Sequence, residues 1–144
     1  METQKYEVTI NATKEEVWEV LWTDETYRKW TSAFSEISSA ESDWEEGSRI
    51  IFGDGKGNGM FSVIEKKDAP NTMIFRHLGE LKDGVETPFA PESGWANSLE
   101  RYYLTDENGK TKVTCEVDVD DNFVDFMGDA FPRAFAILKE LSEA

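Results

Sequence analysis

The chain offers chemistry at few positions. His77 is its only histidine. In the run Thr72 to Leu81, alternation groups it with Met73, Phe75 and Leu81 on the more apolar face of a strand. An imidazole there can act as a base or as a hydrogen-bond donor inside a pocket. The competing reading is a buried histidine bonded by backbone or water. The single cysteine, Cys115, cannot form an internal disulfide and reads as a small core residue.

Glu100 is the sharper anomaly, because strand register turns its carboxylate inward. Asn108-Gly109 between two alternating runs, Ser98 to Thr105 and Thr111 to Val119, is a strong hairpin signal. A two-residue turn pairs Glu107 with Lys110, and therefore Leu104 with Val113, Tyr102 with Cys115 and Glu100 with Val117. Arg101 then meets Glu116 on the other face as an oppositely charged pair. A carboxylate among these apolar neighbours needs a partner, such as Tyr102 or a ligand hydroxyl, or a raised pKa. The alternative is a splayed strand end at which Glu100 reaches water.

Other chemistries fit poorly. Asp54, Asn58, Gly59, Ser62 and Glu65 fall at positions 1, 5, 6, 9 and 12 of a calcium-loop pattern. Lys56 occupies the third position, and Ile50-Ile51-Phe52 is strand-like where an entering helix is needed, so a hairpin is the favoured reading. The same glycines make neither a Walker loop nor a dinucleotide fingerprint. With one His and one Cys, no zinc site or Cys-His nucleophile pair is indicated. No metal and no cofactor is expected.

The elements that position these residues follow from periodicity. Lys5 to Ile10 alternates as a strand. Thr13 with Glu16 forms a capping box for a short helix carrying Val17, Trp18, Val20 and Leu21. Asp24 caps a second short helix ending at Trp30. A weak strand lies within Ala33 to Trp44; stronger ones are Arg49 to Phe52, Met60 to Glu65 and Thr72 to Leu81. Lys82 to Gly94 is polar, holds Pro88 and Pro91, and reads as a long loop forming an entrance or lid. The chain closes with a long amphipathic helix from Asn122, capped by Asn122 or Asp121. Its apolar stripe is Phe126, Met127, Ala130, Phe131, Ala134, Ile137, Leu138 and Leu141. Pro132 and Gly128 project to its polar side.

Composition bounds the remaining possibilities. A chain of 144 residues makes one domain, spanning 1–144, with a true core. Thirty acidic against fifteen basic residues give a net charge of −15, which repels nucleic-acid phosphates and anionic membranes. No run has the length of a signal peptide's apolar core or of a membrane span, and the expected compartment is the cytoplasm.

The order strand, two short helices, strands and long helix predicts an α+β fold: a curved antiparallel sheet of about six to seven strands under a C-terminal helix. Together with Ile10-Asn11-Ala12-Thr13-Lys14-Glu15-Glu16-Val17-Trp18, Trp30, Gly47 and Asp129-Ala130-Phe131-Pro132 to Leu141, it resembles the helix-grip fold of the START and birch-pollen-allergen superfamily, often called SRPBCC. Within that superfamily it looks most like the bacterial proteins grouped with the activator of heat-shock-protein-90 ATPase. The resemblance implies a cavity between sheet and long helix that takes a small, mostly apolar molecule, with no catalytic role assigned. Inward parity and resemblance nominate Phe75, His77, Trp95, Glu100, Tyr102, Phe126, Ala130 and Phe131 as its lining. Two alternatives stand beside this: a cyclase-like or hydrolase-like enzyme using Glu100 or His77 as general base, and a chaperone-associated module that docks a protein partner.

Overall fold

Alternation of Tyr6, Val8 and Ile10 with polar neighbours builds the first strand, β1 (Glu2–Ile10), of the computed structural model, which describes residues 1–144. At its end the chain turns into α1 (Lys14–Trp22) through the expected capping box. The Thr13 hydroxyl accepts from the Glu16 N–H at 3.1 Å, and the Glu16 carboxylate accepts from the Thr13 N–H at 3.2 Å. Asp24 does not cap α2 (Asp24–Trp30), as the sequence suggested. Thr23 holds the cap position without a side-chain bond, and Asp24 begins the helix, paired with Arg28 one turn on at 3.0 Å. The Trp30 Nε1–H donates to the Leu21 carbonyl at 3.1 Å, tying the two helices together.

Seven more strands follow: β2 (Ser39–Glu41), β3 (Arg49–Gly53), β4 (Gly59–Asp68), β5 (Thr72–Lys82), β6 (Val85–Pro88), β7 (Leu99–Glu107) and β8 (Lys110–Val119). They form one antiparallel sheet in the order β1-β8-β7-β5-β4-β3-β2, with β6 paired to the far half of β5. The β7–β8 register is the one the Asn108-Gly109 turn dictates, Tyr102 opposite Cys115 and Glu100 opposite Val117. The segment from Lys82 to Gly94 is not a plain loop. Asp83 and Gly84, with φ of 49° and 79°, make a tight turn, and β6 folds back on β5. What remains between β6 and β7 is Phe89 to Ser98.

A second irregularity lies in the middle of the sheet. The β4–β5 register pairs Phe61 with Gly79 but Ser62 with His77, so Leu78 is an extra residue in β5. On the β7 side, the His77 N–H donates to the Ser98 carbonyl at 2.9 Å, and the His77 carbonyl accepts from the Asn97 N–H at 3.1 Å. The backbone of His77 is thereby held from the same edge that β7 and β6 share.

The closing helix, α3 (Val124–Glu143), starts two residues later than expected. Its first turn is preceded by a 3-10 turn, Asp121–Phe123, capped by Asp120, whose carboxylate accepts from the Asn122 N–H at 2.9 Å; neither Asn122 nor Asp121 is the cap. Ala130, Phe131, Ala134 and Leu138 of the apolar stripe are buried, while Pro132 and Gly128 lie on the exposed side. Phe135, outside the stripe, is buried too, because α3 packs on α2 as well as on the sheet: its ring lies 6.5 Å from that of Trp30. Along the sheet α3 runs closest to β1, where Tyr6 stacks on Phe131 at 4.5 Å. No helix is long and apolar enough to cross a membrane.

Candidate functional site

Because α3 sits over β1 and beside the α1–α2 pair, the second half of β5 and the start of β7 lie away from it, and the side chains there border a cavity. One end of the space under the helix is filled solidly. Trp22 meets the rings of Phe75, Tyr102 and Trp30 at 5.5, 5.1 and 6.4 Å, and Phe52 meets Phe75 at 5.0 Å. The other end is a partly open cavity of about 840 Å³. This lies in the usual range for small-molecule sites. Fifteen of the 25 residues around it are hydrophobic, so its walls favour an apolar guest.

Each side of the fold supplies one wall. The α2 region contributes Tyr27, Trp30 and Phe34; β3 and β4 contribute Phe52 and Met60; α3 and the turn before it contribute Phe123, Phe126, Met127 and Phe131. Between β6 and β7, Phe89 and Trp95 close the remaining side, the Trp95 ring lying 5.7 Å from Phe123 and 6.2 Å from Phe89. Trp95 thus joins the segment before β7 to the start of α3 across the cavity.

The polar end of the cavity is built from three strands. On β4 and β5, the Ser62 hydroxyl lies 2.7 Å from His77 Nδ1, and both side chains are buried. His77 Nε2 lies 3.7 Å from Glu100 Oε1 on β7. That distance is beyond hydrogen-bond length. The Tyr102 hydroxyl donates to Glu100 Oε2 at 2.5 Å. Burial above all, with help from the nearby Cys115 and Glu100, pushes the Tyr102 phenol well above its ordinary pKa, so it remains a donor. Burial followed by the Glu100 charge raises the Tyr27 phenol in the same direction. Asp118 also borders the cavity. Partial burial pushes its carboxyl up, but the Leu99 N–H, the Thr3 hydroxyl and the Arg101 guanidinium outweigh this and hold it below the usual range.

Six of the eight residues nominated from sequence border this one cavity: His77, Trp95, Glu100, Tyr102, Phe126 and Phe131. Phe75 and Ala130 do not. Both are fully buried; Phe75 packs among Trp22, Trp44, Phe52 and Tyr102, while Ala130 lies against the interior beneath the helix. Parity gave their facing, not their depth. Phe126 borders the cavity at its rim and is 45% exposed. Glu100 takes an intermediate position: its side chain is 23% exposed and bonded by Tyr102, neither sealed in the core nor turned out to solvent.

Tyr27, Phe34 and Phe89 border the cavity without having been nominated, and Ser62, weighed in the sequence only as a calcium-loop position, lies behind His77. The parity of Ser62 with the buried Ile64 was the available signal: a serine on the inward face of a strand needs a polar partner. The calcium-loop positions do not converge. The Asp54 carboxylate is occupied by the Lys56 and Asn58 N–H groups and the Asn58 amide, Ser62 bonds His77, and Glu65 pairs with Arg76 at 2.9 Å.

A curved antiparallel sheet gripped by a long C-terminal helix, with a cavity between them, defines a helix-grip domain of the SRPBCC class. Residues 11–142 match the family described as Activator of Hsp90 ATPase homolog 1-like protein, AHSA1, and the chain belongs to that family. A ligand-binding domain fits this membership. Among solved structures, the Aha1 dimer from Colwellia psychrerythraea is 21% identical, with 100% of this chain and 96% of that one covered and a TM-score of 0.66. CalU16 from Micromonospora echinospora is 14% identical over 97% of this chain and 75% of its own, with a TM-score of 0.69. A protein from Mesorhizobium loti is 15% identical over 97% and 96%, with a TM-score of 0.71. At these identities the likeness is one of fold. A search of curated proteins finds no significant match.

Proposed function

We propose that the protein binds a small, mostly apolar molecule in the cavity between its sheet and α3. The observation that carries this reading is the cavity itself: about 840 Å³ walled mainly by aromatic and aliphatic side chains, at the place where a solid core would otherwise continue. Burial of apolar surface supplies the affinity, and the few polar groups at the His77 end orient the guest. Expected in titration is saturable binding of a naphthalene-based dye whose emission rises in apolar surroundings. Met127→Trp, which fills the cavity from its helix wall, is expected to weaken binding at least about tenfold while leaving the melting temperature little changed. No dye binding by the unmodified protein, or binding indifferent to Met127→Trp, would remove the reading.

One observation favours a second reading. His77 and Glu100 border the same cavity 3.7 Å apart, a placement suited to moving a proton to or from a bound molecule. On this reading the protein is expected to accelerate hydrogen–deuterium exchange at the acidic carbon of a bound aryl ketone, followed by NMR, and Glu100→Gln is expected to abolish the acceleration. Exchange no faster than in buffer leaves binding alone.

A further inference from the structure

The polar end of the cavity sets His77 Nε2 and Glu100 Oε1 side by side, and the groups behind them fix the tautomer of the ring and the orientation of the carboxylate. Ser62 is fully buried, and the one polar partner of its hydroxyl is His77 Nδ1 at 2.7 Å. A buried hydroxyl proton without an acceptor is costly. The bond is therefore best made with Ser62 donating and Nδ1 accepting, which places the proton of the neutral imidazole on Nε2. Nε2 is the ring nitrogen that lies near Glu100 Oε1, at 3.7 Å. The other oxygen of Glu100 is taken by the Tyr102 hydroxyl at 2.5 Å, which fixes the carboxylate's orientation.

The pair is too far apart to satisfy itself, and the two atoms make opposite demands. An ammonium or amine donor suits Oε1 but brings a donor against Nε2–H. A ketone, ester or carboxylate suits Nε2–H but sets lone pairs against Oε1. A trans secondary amide points its donor and acceptor in opposite directions. A hydroxyl does both at one atom: its oxygen accepts from Nε2–H and its proton goes to Oε1. An oxygen can sit about 2.8 Å from each of two atoms held 3.7 Å apart, to one side of the line that joins them. Nearby, the rings of Phe52 and Tyr102 supply flat apolar walls.

We infer that the ligand is an amphipathic molecule carrying an alcoholic, phenolic or enolic hydroxyl, which is read by His77 Nε2–H and Glu100 Oε1 together while its apolar body lies against the aromatic walls. This rests on the binding reading above and adds the class of ligand. Ser62 and Tyr102 are positioning residues, one fixing the imidazole tautomer and the other the carboxylate.

The test compares naphthol with its methyl ether, the same body with the hydroxyl proton removed, by calorimetric titration. The unmodified protein is expected to bind naphthol about tenfold more tightly than the ether, since the ether leaves Oε1 without its donor. In Glu100→Leu the preference is expected to fall to near unity; in Glu100→Gln, which keeps the side-chain shape, it is expected to shrink. Equal binding of the two probes by the unmodified protein overturns this inference and leaves the binding reading intact. A preference that survives Glu100→Leu overturns it as well. If neither probe binds while the dye does, this inference alone is overturned; if the dye does not bind either, the cavity reading fails with it.

Discussion

Replacing Trp30 with alanine is expected to lower stability by about 3–5 kcal/mol, the largest loss from any single truncation in this chain. The indole is 1% exposed. It touches each part of the interior: Tyr27 at 5.5 Å within its own helix, Trp22 of α1 at 6.4 Å, Tyr102 of the sheet at 6.2 Å and Phe135 of α3 at 6.5 Å. Its removal empties the junction of α1, α2, α3 and β7, and leaves the Leu21 carbonyl without the Nε1–H donor it now has. Neighbouring rings are held by their own packing and close only part of such a gap. For a chain of this length, the loss corresponds to a fall in melting temperature of roughly 10–20 °C. Thermal or denaturant unfolding measures it. Ile37→Ala, at a residue 56% exposed, is the control and is expected to change stability by no more than about 0.5 kcal/mol. A Trp30→Ala loss under about 1 kcal/mol would mean that the aromatic cluster is not what joins helices to sheet.

The second large effect concerns backbone and not core volume. Gly59 has a φ of +151°, and a Cβ there would lie 2.0 Å from the Phe52 carbonyl oxygen and 2.6 Å from Gly53 Cα. Gly53 and Gly59 face each other as the closing pair of the β3–β4 hairpin. Both the conformation and the contact exclude a side chain, and backbone, unlike a flexible side chain, cannot swing aside. Gly59→Ala is therefore expected to cost more than about 2 kcal/mol, measured by denaturant unfolding. It also shifts Asn58 and Met60, which border the cavity, so dye affinity falls with stability. Gly47→Ala separates the two causes: its φ is +88° but nothing lies within 4 Å of the added Cβ, so a cost of about 1 kcal/mol is expected. Equal losses at the two sites would show that the close approach at Gly59 is relieved at little cost.

Charge alone gives little at this protein's surface. The pairs Arg28 with Asp24, Lys29 with Glu25 and Arg133 with Asp129 lie one helical turn apart on exposed faces. Such pairs contribute a few tenths of a kcal/mol each. The polar contacts that matter to the cavity are those with a buried member, above all Ser62 with His77 and Tyr102 with Glu100.

What the sequence by itself determined were features whose causes lie within a few residues. Asn108-Gly109 set the turn, the turn set the register, and the register turned Glu100 and Tyr102 inward. Thr13 and Glu16 set the start of α1, and a 3.6-residue period set the buried face of α3. Even local signals compete: Asp83-Gly84 is a hairpin signal, but Pro88 and Pro91 beside it give the segment the composition of a loop, and the pairing of β6 with β5 is not visible in it. Tertiary structure decided everything that depends on depth and on meetings between distant segments. Parity cannot tell Phe75, sealed among four rings, from His77 two residues on, which borders the cavity. It could not give His77 its Ser62 partner, because that pairing depends on an extra residue, Leu78, in β5. Nor could it show that α3 leans toward β1 and α2, since a helical stripe specifies which face is covered and not what covers it. The cavity lies beside that lean: the helix follows one edge of the sheet, the aromatic cluster fills the space beneath its middle, and the second half of β5 and the start of β7 face the rings of Trp95, Phe123 and Phe126.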